Sequence, residues 1–105
     1  MTTANPRYSG KPLLRLLECY VLWAIGQLTD KESSTLQAMT PKLRSIYGVE
    51  GEWQQVVAFA VHLPADMPVR IRDLWTKNAE IARANEATLT PQQFAEMFVD
   101  ANLAG

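Results

Sequence analysis

Cys19 is the only thiol and His62 the only imidazole in the chain, so nucleophilic or acid-base chemistry built on those residue types has to run through them. A reactive thiolate forms beside positive charge or at a helix start in a partly open site. Cys19 instead stands among Leu17, Tyr20 and Val21 in an apolar run, which reads as a small buried hydrophobe. His62 closes another apolar run, where a donor or an imidazolium serves the free carbonyls of a helix end. A Cys19-His62 dyad needs two helices to cross at those positions, and no Asn or Asp is placed to orient the ring. Zinc takes three or four ligands at short spacings, and no Glu-x-x-His repeat offers a carboxylate site, so neither a metal nor a cofactor is expected. Gly10, Gly26, Gly48, Gly51 and Gly105 form neither a phosphate loop nor a dinucleotide fingerprint. Glu50, Glu52, Asp66 and Asp73 could converge as paired carboxylates, but surface charge accounts for each. The residues predict no catalytic site.

The elements that position these side chains read as helices. Pro6, Ser9-Gly10 and Pro12 predict an extended N-terminal arm over residues 1–11, and a single helical domain follows over 12–105. From Pro12 to Leu28 apolar residues cover nearly the whole circumference of a first helix, which makes it the spine of the core. Thr29 and Glu32 have capping-box spacing behind Leu28. The second helix they open carries Leu36, Met39, Leu43, Ile46 and Tyr47, with Pro41 expected to cut or kink it before Gly48 ends it. Trp53, Val56, Val57, Ala60 and Val61 recur at helical spacing up to Leu63-Pro64. Asp66 and Pro68 then open the longest helix, about 67–86, with an inward stripe of Ile71, Leu74, Trp75, Ala79 and Ala82. Thr90-Pro91-Gln92-Gln93 starts a fifth helix with Phe94, Met97, Phe98 and Ala101 on one face. No hairpin turn and no internal repeat compete with this pattern. The expected fold is all-α, a compact bundle of four to five helices behind the arm.

Composition bounds the function classes. One domain is expected of 105 residues, and 48% apolar against 20% charged residues is the profile of a packed globule. A lone cysteine fits a reducing cytoplasm, and the start of the chain lacks a signal-peptide pattern. The apolar run near Leu13 to Leu28 is broken by Arg15 and Glu18 and is too short for a membrane span. A net charge of −1 provides no general attraction to nucleic acid. The second and third helices resemble a helix-turn-helix in outline, but Glu50 and Glu52 open the would-be recognition helix, with no Lys or Arg through Leu63. Arg70, Arg72, Lys77 and Arg83 form the best basic cluster. Asp73 and Glu80 interleave with it, as on a solvated, ion-paired face.

What remains is a surface for another protein. Glu50, Glu52 and Asp66 stand without a neighbouring base, and Trp53 beside Glu52 would anchor a partner if its ring were exposed; packing in the core is the competing reading. Glu50, Glu52 and Trp53 are therefore the candidate partner-binding residues. The run from Asn5 to Leu22, with the ending Leu89-Thr90-Pro91-Gln92-Gln93-Phe94-Ala95, resembles small helical bacterial immunity proteins encoded beside polymorphic toxins. That resemblance covers about a third of the chain and implies a non-enzymatic, cytoplasmic protein that binds and occludes a cognate toxin domain. A charge of −1 confines any acidic complementarity to local patches. Three alternatives carry their own signatures. A small enzyme or ligand carrier would use a pocket near His62, a nucleic-acid module would use the fourth helix, and the apolar first helix could form half of a homodimer interface.

Overall fold

The computed structural model describes residues 11–103. Among these every regular element is helical: α1 (Lys11–Ala24), α2 (Asp30–Tyr47), α3 (Trp53–Ala60), α4 (Met67–Ala84) and α5 (Pro91–Phe98), continued by a π-helical turn over Val99–Leu103. The all-α bundle is thus the observed fold, with five α-helices. Residues 1–10 of the expected arm lie outside the described residues, and Lys11 already belongs to α1.

Local chemistry sets most boundaries. Thr29 Oγ1 accepts the Glu32 N–H at 3.2 Å while the Glu32 carboxylate accepts the Thr29 N–H at 3.3 Å, closing a capping box on α2. Thr90 and Gln93 repeat it on α5, both bonds being 3.1 Å. The helices α1, α3 and α4 end alike. Gly26 (φ 74°), His62 (φ 56°) and Glu86 (φ 55°) take the left-handed conformation just past each helix. The next N–H, from Gln27, Leu63 or Ala87, then returns 2.8 Å to the carbonyl of Leu22, Ala58 or Ala82.

One boundary expectation is corrected and another holds in position only. Pro41 does not cut α2, which runs on as one helix, because a proline removes one ladder bond while buried Leu36, Thr40, Leu43 and Tyr47 hold both halves of the helix to the same core. Asp66 is the N-cap residue of α4, as its spacing placed it, but makes no side-chain capping bond; its carboxylate instead accepts from Arg70 Nε at 2.8 Å.

Helix α1 is the spine. It touches α3, α4, α5 and the π-helical turn, and Leu16, Leu17, Cys19, Tyr20, Val21, Leu22 and Ala24 are all buried along it. Helix α2 leans chiefly on α3. Fully enclosed Leu17, Val21, Trp53, Val56, Val57, Ile71 and Val99 form the centre, where each aliphatic side chain contributes about 1.5–3 kcal/mol by leaving water. Trp75 packs edge-on against Phe94, 5.4 Å between centroids, and joins α4 to α5.

Candidate functional site

The three residues singled out as a partner site separate in the structure. Trp53 begins α3 and is only 1% exposed, so the exposed-anchor reading of this residue is overturned. The physical reason is position: the first turn of α3 faces α1, and the indole meets Trp23 edge to face with ring centroids 6.3 Å apart. Its Nε1 is buried without a hydrogen-bond partner. Glu50 and Glu52 do face solvent. Glu52 is the N-cap residue of α3 without a side-chain capping bond, where its charge still favours the helix dipole. Glu50 lies 3.8 Å from Arg44, whose Nε also donates to the Gly51 carbonyl at 3.0 Å. Gly51 itself has φ 126°, and a Cβ there would collide with the Gln55 side chain.

Two aromatic residues reach the surface in this region: Phe59 of α3, 63% exposed, and Trp23, 37% exposed near the end of α1. Trp23 stands 5.5 Å from the Tyr20 ring at a 49° tilt. Together they wall an open pocket of about 150 Å³ completed by Gln54, Gln55 and Ala58 of α3, the Leu63-Pro64-Ala65 connection, and Pro68 of α4. Gln54 Oε1 is buried and has no donor. Burial raises the Tyr20 hydroxyl above the ordinary phenol range, which keeps it protonated. Sequence reasoning missed this site because α1 is apolar on every side, and periodicity could not say which residue of it would face out. Pro64 and Pro68 registered only as helix punctuation.

Cys19 and His62 do not meet in a common cavity. Cys19 is buried and lines a groove of about 320 Å³ between α1 and α2, with Arg15, Leu16, Lys31, Glu32, Thr35, Leu36 and Met39. Burial pushes its thiol up, with Arg15 opposing that shift. Arg15 binds both Glu18 and Glu32 at the groove's rim. His62 is exposed, its ring 6.4 Å from that of Phe59, and it lines neither this groove nor the Trp23 pocket. Its capping role is performed by the backbone. Among the described residues no group of three or more His, Cys, Asp and Glu could hold a metal ion.

Helix α4 departs most from expectation. It is 18 residues long, yet Ile71 is its only buried residue. Leu74, placed on the inward stripe from its spacing, is 40% exposed, and Ile81 is 60% exposed. Helix α5 stands beside this face and presents Met97, 61% exposed. Leu74 and Met97 share a groove of about 190 Å³ with Asn78, Leu89, Phe94, Phe98 and Asn102. The basic residues of α4 are partly spent within the fold: Arg70 binds Asp66, and Arg72 Nε donates to the Ala24 carbonyl at 3.3 Å. No helix of the described residues is long and apolar enough to cross a membrane.

No protein-family model, curated protein or solved structure matches the chain.

Proposed function

We propose that the chain works by binding another protein through the α4–α5 face, and that its partner is a toxin domain encoded beside its gene, which it silences by covering it. The observation that carries this reading is the apolar side-chain area left open on α4: one buried residue in 18, with Leu74 and Met97 exposed on a groove that reaches Phe94 and Phe98, and Ile81 exposed two turns further along α4 on the side of Leu74. Apolar side chains scattered singly over a surface need no explanation, whereas a contiguous set beside a groove marks a surface that binds. Its polar edge includes Arg70 and Lys77, which share the helical side of Leu74 and Ile81 by spacing, giving the apolar centre and charged rim of a protein interface. The choice of a toxin rests on the resemblance of the two terminal segments to immunity proteins. Glu50 and Glu52 remain a second, acidic surface for the same partner.

Co-expression in bacteria tests the reading. Cells carrying the adjacent toxin domain should grow when this chain is present and stop growing when Leu74→Asp and Met97→Asp are combined in it, with helicity by circular dichroism unchanged. Protection that survives the double substitution eliminates the face, and growth arrest with the unaltered chain eliminates inhibition. Sedimentation as a dimer that the same substitutions dissociate would assign the face to self-association instead.

A further inference from the structure

We propose that the pocket between Trp23, Tyr20 and Gln54 receives the guanidinium of an arginine side chain presented by another protein. The inference rests on the protein-binding reading only for the source of that arginine. The pocket's chemistry stands by itself.

Its walls are electron-rich and its polar groups accept. The Trp23 and Tyr20 rings pack against each other, tilted at 49° with centroids 5.5 Å apart, and together form one aromatic wall of the pocket, while Pro64, Pro68, Ala58 and Ala65 supply more of the lining without charge. A cation over such ring faces is attracted by their quadrupoles, and the planar guanidinium stacks on them better than an ammonium does. Gln54 Oε1 is buried without a donor, a state that burial makes unfavourable until an N–H arrives. Guanidinium is donor-only and brings its N–H groups in one plane, which matches an acceptor beside an aromatic wall.

The charges around the pocket favour the same choice. No Lys or Arg lines it, and the stretch from Glu50 to Leu63 that contributes its α3 wall contains none either. Glu52 lies in the turn before Gln54 and Gln55 and is exposed. Of the basic residues nearest in sequence to the Pro68 wall, Arg70 is paired with Asp66, and Arg72 turns its Nε to the Ala24 carbonyl and keeps its charge outside the lining. An anion would meet no donor cluster here. A purely apolar group would leave Gln54 Oε1 without its bond.

The test titrates the full chain with Nα-acetyl-arginine amide while recording ¹H–¹⁵N spectra, with Nα-acetyl-citrulline amide as the uncharged isostere. Arginine should move the Trp23 indole N–H and the Gln54 side-chain amide saturably, and citrulline should bind about tenfold more weakly, having lost the charge. Gln54→Glu should tighten arginine binding and Gln54→Met should weaken it, each by about tenfold, while Trp23→Ala should abolish it. A merely structural Gln54 would not respond in opposite directions to those two substitutions. If the Glu variant fails to fold, the Met and Ala variants still decide. Equal binding of citrulline, or no movement at Trp23 and Gln54, overturns the assignment. Because the probe is free arginine amide, its failure leaves the α4–α5 face standing, and failure of toxin protection leaves this pocket standing.

Discussion

Trp23 and Trp53 meet edge to face at 73°, and only one of them belongs to the core: Trp53 is 1% exposed and Trp23 37%. The contact makes α1 and α3 one unit and divides the roles that either tryptophan could have taken, one enclosed and one available at the surface.

Replacing the two should therefore have unequal costs. Trp53→Ala opens a cavity in the centre and should lower stability by about 3–5 kcal/mol, whereas Trp23→Ala should cost less, about 2–3 kcal/mol, because water already reaches part of its ring. Urea unfolding measures both. A partner assay on Trp53→Ala would report unfolding rather than a lost contact, so Trp23 is the informative position.

His62 and Glu86 occupy the left-handed position past α3 and α4 that Gly26 occupies past α1. A side chain at such a φ costs about 1 kcal/mol relative to glycine. His62→Gly and Glu86→Gly should each raise stability by about 0.5–1 kcal/mol, seen as a higher thermal midpoint. A fall in midpoint for His62→Gly would mean that the imidazole does more than tolerate its site.

Thr29 and Thr90 each accept a backbone N–H and have that bond returned. Thr29→Ala and Thr90→Ala should each cost about 1 kcal/mol. The two caps serve different helices, so the double variant should lose about 2 kcal/mol, the sum within error. Denaturant midpoints at constant slope check both the values and their additivity.

Cys19 should resist alkylation by iodoacetamide in the native protein and react fully in urea, since the thiol is buried and burial pushes its ionisation to higher pH. The linkage has a definite sign. The native state keeps the thiol proton where the unfolded chain has begun to lose it, so this contribution to stability is intact at neutral pH. It declines as pH rises from the ordinary thiol value toward the native one. Tyr20, shifted the same way by burial, adds to the decline at still higher pH. In Cys19→Ser the thiol part of the alkaline loss should disappear; an unchanged pH profile would remove Cys19 as its source.

Much of the helical architecture was legible because it is local. A hydroxyl three residues before Glu32 or Gln93, Gly48 after an apolar stripe, and prolines at 64 and 91 act within one or two turns of themselves, and the structure keeps those signals where the spacing put them. The exceptions are equally physical. Pro41 marks a helix break only when nothing else holds the two sides together, and Asp66 makes a capping bond only if Arg70 does not take its carboxylate.

What the amino-acid order determined alone was the all-α class, the burial of α1 and the absence of any crowded set of catalytic residue types, since periodicity and residue inventory require no knowledge of neighbours. Which side chains face water was decided by the tertiary structure. Helix α1 is apolar all round, so only the placement of α3 and the connection to α4 could leave Trp23 outside and Trp53 inside. Helix α4 has a conventional stripe, but a stripe is buried only where another helix lies across it, and here α5 covers Trp75 and leaves Leu74 open.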